Sequence, residues 1–422
     1  MRRPSLVVAS FTWLLVAAYY FFQYALRSAP SVMMPQLSDA FGADALGVAS
    51  IVGMFYYGYS PFSLVAGAAL DRFGPRRIVP IGAALVGIGA LAFGAGGVLA
   101  ASIGRFLQGA GGVFALVGAI YVATTYFPAS YAASLVGATQ MFGMAGGSAG
   151  QVLVGPLIAG GLPWVHFWTY AGFVGLAIAA TLWVLLPKDT PASAPRSVLA
   201  SFKTVFANPQ SILCGLIAGL LFIPTTIFDM TWGVRFLQEG RGRGYDEAVQ
   251  IAATVPLGWM IGCPLLGVIS DRIGRRKPVI LAGAVVLLAT LAWALFGIPG
   301  VLPGHAIGIV MGIASGAAML PYTVIKEVNP PELGGSATGV VNFVNFTFSA
   351  LLGPIFGRWL VTAAEGSDQM SLEHYQSAFT PMLWGIGVAL ALTCLLTETG
   401  PAGRGASSPL AGVTPPRAAP PS

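Results

Sequence analysis

The chain has 422 residues, 56% of them hydrophobic and 9% charged, with a net charge of +6 and a mean hydropathy of +0.78. Soluble domains carry about 25% charged residues, so this composition excludes a water-facing globular surface and points to an integral membrane protein. The positive balance gives no reason to expect a nucleic-acid partner, because the basic residues gather in short segments between apolar runs.

A spanning helix needs about 20 mostly apolar residues. The first such run covers 7–34. Its Arg2-Arg3 start resembles a secretory leader, but the run is too long and no small-residue cleavage site follows closely, so it reads as a span. Inside it lies "YYFFQYALRSAP", Tyr19 to Pro30, with Arg27 in the apolar run. An arginine in a span costs roughly 2.5–3.5 kcal/mol on insertion scales. Tyr20, Tyr24, Arg27 and Ser31 fall at i, i+4, i+7 and i+11, hence on one helix face. Such a stripe suits a water-filled cavity. A binding role, a snorkelling head group and an internal ion pair all accommodate it. Pro30 and Pro35 are placed to bend or end the helix early.

Further spans are expected at 46–70, 78–97, 99–127, 131–158 and 164–186. The polar stretch Pro187 to Gln210 reads as a linker with room for a short surface helix. A second set follows at 210–238, 248–270, 278–298, 303–326, 335–362 and 376–396. The organisation expected is an N-terminal bundle over 1–190, a linker over 191–208, a C-terminal bundle over 209–398 and a disordered tail over 399–422. Cys214, Cys263 and Cys394 all lie in apolar runs, which argues against a disulfide framework.

The halves repeat. "GAALDRFGPRR" begins at Gly67 and "GVISDRIGRRK" at Gly267, each just after the second span of its half. Pro128, Gly137 and Gln140 match Pro330, Gly339 and Asn342 in spacing. The fold class expected is therefore an all-α membrane protein of twelve helices in two pseudo-symmetric six-helix bundles. Of the 21 Lys and Arg, six (Arg27, Arg105, Arg235, Arg241, Arg243 and Arg358) fall outside the segments on the N-terminal side of the membrane, leaving 15 there (21 − 6). By the positive-inside rule both termini are expected in the cytoplasm.

Asp229, in "PTTIFDMTWGVRF", is the one carboxylate placed well inside an expected span. It is a candidate proton carrier, a partner for Arg27, or a static partner for Arg235. Gln140 and Asn342, with Asn345, Tyr56, Tyr121, Thr225, Trp259 and Tyr322, are candidates to line a cavity or to hold helices together. His166, His305 and His374 lack metal-like spacing, so no metal and no cofactor is expected. Without a nucleophile–base pair or nucleotide loop, an enzyme is not expected.

The paired D-R-x-G-x-R-[RK] loops resemble the signature of the major facilitator superfamily, and span count, linker and both loops carry the likeness over about residues 5 to 398. "RFLQGAGG", from Arg105, is similar to that family's fourth-helix pattern, and "YALRSAPSVMMP" to the first helix of its organic-anion branches. The resemblance implies alternating access. Asp71, Arg72, Arg76, Asp271, Arg272 and Arg275 would latch the cytoplasmic ends, and Arg105 would contribute to coupling. Arg27 would hold a phosphate or carboxylate, with Pro35 at the family's spacing. In the organophosphate branch helix seven supplies a second arginine; the matching position here is near Pro224, which favours a carboxylate.

The function expected is secondary active transport of a small organic anion by proton symport, in a monomer of the inner membrane. Arg27, Tyr20, Tyr24, Gln140 and Asn342 would bind the anion; Asp229 and Arg105 would couple it to protons. Proton-driven efflux of a drug-like compound is the alternative, favoured by the glycines of "GMAGGSAGQVLVGPLIAGG". A ligand sensor without transport is the alternative of another class.

Overall fold

The computed structural model describes residues 5–187, 198–298, 300–330, 333–364, 370–400 and 402, apart from the side chains of 71, 129–134, 198 and 199. The described residues are helical with no strand. In a bilayer only structures that satisfy every backbone group internally can span, which is why these apolar runs are helices.

Twelve main helices, named here in chain order, are α1 Leu6–Ser28, α2 Ala45–Phe73, α3 Pro75–Gly94, α4 Val98–Tyr126, α5 Ala129–Val152 and α6 Trp164–Leu185, then α7 Pro209–Ile223, α8 Tyr245–Ile273, α9 Lys277–Phe296, α10 Gly304–Ser315, α11 Gly334–Ala363 and α12 Leu372–Leu395. Eleven spans are long and apolar enough by themselves. The remaining one counts as a span only when Met34–Phe41 is joined to α2 across a 103° bend. The reading from sequence thus places every span but smooths over internal breaks. α5 is interrupted before Val154–Ala159, and α10 tightens at Gly316–Met319 before Leu320–Glu327. The helix Val198–Ala207 lies within the expected linker and packs on α11.

The halves meet mainly through α2 with α11 and α5 with α8. Small residues let these and the neighbouring helices approach closely. Gly146 of α5 lies against the backbone of Phe21 in α1, and Gly150 against that of Ala25. The glycine run of α5 therefore has a packing role. Toward the end carrying the two D-R-x-G loops, α2 and α11 are locked. Ser60 Oγ donates to Phe343 O at 2.9 Å and lies 2.7 Å from Thr347 Oγ1. The opposite end opens into a vestibule of about 610 Å³ lined by Ser31, Asp39, Asp44, Arg235, Glu239 and Tyr245, among others.

Candidate functional site

The site is built by a helix that stops. Pro30 has no N–H to donate to Leu26, and after Ser28 the chain tightens into a 3-10 turn at Ala29–Val32. Arg27 thus sits in the last turn of α1, where a cation suits the negative end of the helix. It is 2% exposed. Its guanidinium carbon lies 4.9–5.7 Å from the ring centres of Tyr24, Phe55, Tyr56, Phe222 and Phe346. Three of these rings belong to the N-terminal half and two to the C-terminal half.

Hydrogen bonding around Arg27 is sparse. Nη2 donates to the Tyr56 hydroxyl at 3.5 Å, and Tyr56 donates across the halves to Thr226 O at 3.3 Å. Nε and Nη1 are buried without a partner. None of the ion pairs among the described residues includes Arg27. Ring faces offset part of the loss of water, but a buried permanent cation with open donors is costly. The arrangement is electrostatically incomplete, and its open donors are of the kind an oxyanion would satisfy.

Tyr24, Phe222 and Phe346 also wall a central cavity of about 10 Å³, room for about one water. Tyr20, Tyr59, Gln140, Tyr322, Asn342 and Asn345 share that wall. Tyr20 donates to Gln140 Oε1 at 2.8 Å. Tyr322 donates to Asn342 Oδ1 at 2.6 Å and accepts from Asn345 Nδ2 at 3.0 Å. Asn342 Nδ2, Asn345 Oδ1 and the Tyr59 hydroxyl are buried and unpartnered. The structure therefore brings Tyr20, Tyr24, Gln140 and Asn342 together, with Arg27 beside them. The stripe continues to Ser31, which lines the vestibule beside Tyr245, whose hydroxyl donates to Val32 O at 2.7 Å and Gly155 O at 3.3 Å.

Arg105 is placed differently. Its Nε donates to Val52 O at 3.2 Å, and Nη1 donates to Leu26 O at 3.2 Å and Gln108 Oε1 at 2.7 Å. Leu26 O is the carbonyl that Pro30 leaves open. Arg105 thus ties α4 to α1 and α2.

Asp229 does not meet Arg27. Past Ile223 the helix widens to an i→i+5 pattern over Pro224–Gly233, with Thr231 Oγ1 donating to Thr226 O at 3.0 Å. Asp229 is 3% exposed and its Oδ2 has no partner. It lines a second cavity, of about 90 Å³, inside the C-terminal half, with Gly233, Phe236, Arg241, Trp293 and Met311. Arg235, raised above as a partner for it, pairs instead with Glu239 at 2.6 Å.

At the loop end the geometry singles out Arg276. The turn at Gly274, φ +68°, directs Arg276 inward, where it binds Asp271, Ser270 Oγ and, at 2.9 Å, Glu327 Oε1. Arg272 and Arg275 are exposed, with no ion pair among the described residues. Glu398 accepts from the backbone N–H of Arg276 at 2.7 Å and of Lys277 at 3.1 Å. Burial pushes the Glu398 carboxyl up, but these bonds outweigh it and hold the group below the usual range. Thr399 donates to Glu327, and Ala402 N donates to Gly274 O at 3.0 Å, so packing continues past 398, the expected end of the bundle. In the N-terminal half, Arg72 lies on the ring of Phe73 at 5.3 Å and Arg76 is half-buried. The side chain of Asp71 lies outside the described residues, as does most of the 399–422 tail.

Sequence reasoning missed Phe55, Phe222, Phe346 and Tyr59 as parts of the site, and the roles of Arg276, Glu327 and Glu398. Phenylalanine in an apolar span carries no signal that separates a ring cage from lipid contact.

A family model described as Major Facilitator Superfamily matches residues 16–354. The chain is similar to a hexuronate transporter of Bacillus subtilis (strain 168), 27% identical over 366 residues, covering 79% of this chain and 84% of that one. It is similar to a probable sulfoacetate transporter of Cupriavidus necator, 24% identical and covering 83% and 86%. It is also similar to a probable galactarate/D-glucarate transporter of Escherichia coli (strain K12), 22% identical and covering 81% and 85%. A bacterial homologue of the human lysosomal transporter Spinster, solved inward-facing and unoccupied, superposes with a TM-score of 0.73 at 15% identity over 93% of this chain and 98% of that one.

Proposed function

Because the chain belongs to the Major Facilitator Superfamily, whose members are transporters rather than enzymes, we propose that it carries a small organic carboxylate across the membrane by alternating access and proton symport. The observation that carries this reading is the buried guanidinium of Arg27, with two donor atoms unpartnered and no carboxylate in ion-pair contact among the described residues. A carboxylate matches those donors with two oxygens at once. Tyr20, Tyr24, Gln140 and Asn342 supply the hydroxyl and amide groups that fit a polyhydroxylated or sulfonated body, as in the names of the three full-length relatives.

The charge present fits a carboxylate better than a phosphate ester. By the family resemblance the second arginine of the organophosphate branch would fall near Pro224, where the chain has no cation, and the donors of Arg105 are committed to α1, α2 and Gln108. Asp229, with its unpartnered oxygen, is the proton-linked group in this reading, and Arg105 contributes to coupling by holding α1, α2 and α4 together. The loop end is the cytoplasmic side by its Lys and Arg, so the vestibule faces out. The contact of Ser60 with Phe343 and Thr347 holds the inner ends of the two halves together, and the Arg276–Glu327–Asp271 cluster braces the loop end within the C-terminal half. A latching role for Asp71, Arg72, Arg76, Arg272 and Arg275 rests on the family resemblance alone. The working unit is a monomer.

The efflux alternative draws on a multidrug resistance protein of Bacillus subtilis, 29% identical over only 36% of this chain. The α5 glycines that favoured it have a packing account against α1.

The test is uptake of labelled D-glucuronate, sulfoacetate and D-glucarate into proteoliposomes, with and without an inward proton gradient. Gradient-stimulated uptake of at least one supports the reading. Uptake of none, together with export of a cationic dye, overturns it.

A further inference from the structure

We infer that protons reach Asp229 through a pocket of their own in the C-terminal half, separate from the vestibule through which the anion enters. The inference rests on the reading of Asp229 as the proton-linked group and assigns that group's route.

The pocket opens at the vestibule end between two loops. Arg241 and Arg243 rim it on the α7–α8 side, and Gly297, Ile298, Gly300 and Leu302 on the α9–α10 side. Its wall follows α10 from Gly304 to Met311, seven residues or about 10 Å of helix. At about 90 Å³ it holds several waters, each needing roughly 10–15 Å³. Asp229, with Oδ2 unpartnered, is the carboxylate that lines it. None of its lining residues lines the vestibule or the central cavity.

The rim is electrostatically tame. Arg241 donates to Ala294 O and Gly297 O, and Arg243 pairs with Glu247 at 2.9 Å. Elements packed against Pro224–Gly233 carry Arg27 on α1, Asp246 and Glu247, with Asp271 and Arg272, on α8, His305 on α10, Arg358 on α11 and Glu239 beyond Arg235. Of all these groups, only Arg241 and Arg243 share the pocket with Asp229. The step balances simply: a hydronium ion gives its proton to Oδ2, leaving water and a neutral carboxyl. Two routes explain how a cation and an anion are loaded from one side without meeting in the vestibule.

The test follows exchange of the Asp229 carboxyl proton for deuterium by infrared difference spectroscopy on purified protein in nanodiscs. The band is assigned as the one lost in Asp229→Asn, or shifted in Asp229→Glu should the first variant not fold. Leu302→Cys, at the pocket rim, and Ser38→Cys, in the vestibule, are each labelled after folding with a bulky maleimide in a Cys394→Ser background. The expected result is exchange slowed by an order of magnitude by the label at 302 and unchanged by the label at 38. If only the label at 38 slows it, or neither does, the separate route is wrong while Asp229 remains proton-linked. If no carboxyl band is lost or shifted in either variant at any pH, Asp229 carries no proton, and both the route and the coupling reading fall.

Discussion

Arg27 and Arg105 lie against the same ring, Phe55, with guanidinium carbons 5.4 and 5.0 Å from its centre. Both are buried, yet their hydrogen bonding is opposite. Arg105 is spent on Val52 O, Leu26 O and Gln108. Arg27 has one long bond to Tyr56 and two open donor atoms. The same residue type, equally buried, is thus a helix tie in one case and a cation with open donors in the other.

Replacing Arg105 should therefore harm the fold before the function. Arg105→Met leaves Leu26 O, which Pro30 cannot serve, without a donor at about 1–3 kcal/mol, and takes from Val52 O the second bond that it accepts beside its own helix. A marked fall in melting temperature and folded yield is expected by fluorescence-detected size exclusion. Unchanged yield and melting temperature with lost transport would contradict this assignment.

Tyr56 links Arg27, the proposed anion anchor, to the other half through Thr226 O. Tyr56→Phe keeps the ring against Arg27 and removes both bonds. The loss should be modest, about 0.5–1.5 kcal/mol of ligand affinity, with the fold intact by calorimetry.

The loop end should be acid-sensitive. Glu398 is held below its ordinary range in the folded protein by N–H groups of Arg276, Lys277 and Gly400, against the opposing effect of burial. A depressed carboxyl contributes stability that is present above the unfolded value, about 4.3, and lost as pH falls through the folded value. Melting temperature should drop as pH falls below about 5, less steeply in Glu398→Gln. Equal slopes for the two proteins would remove Glu398 from the account.

Gly146 should tolerate no side chain. A Cβ there would overlap the backbone carbonyl oxygen of Phe21, so helix α1 itself would have to move. Gly146→Val should abolish folded yield, whereas Gly137→Ala, with open space around the position, should not.

The sequence made the Tyr20–Tyr24–Arg27–Ser31 stripe legible because α1 keeps its 3.6-residue period up to Ser28. The paired D-R-x-G loops were legible because they repeat. Asp229 was legible as a carboxylate inside a span, but its place in a separate cavity away from Arg27 was not, because the wide turns of Pro224–Gly233 shift the phase of the side chains there. The choice of Arg276 over Arg272 and Arg275 was hidden for a similar reason. It depends on the left-handed turn at Gly274, which the spacing of basic residues does not encode.

The account rests on Arg27 as the anion anchor, and ligand-induced thermal stabilisation tests it most directly. Purified wild type and Arg27→Ala are melted with D-glucuronate, D-glucarate and sulfoacetate, beside phosphate esters and cationic drugs. A ligand that binds only the folded state raises the melting temperature by mass action. The account predicts that at least one carboxylate stabilises wild type, and that Arg27→Ala loses that response while still melting cooperatively. An equal response in both proteins, or stabilisation by cationic drugs alone, would contradict it.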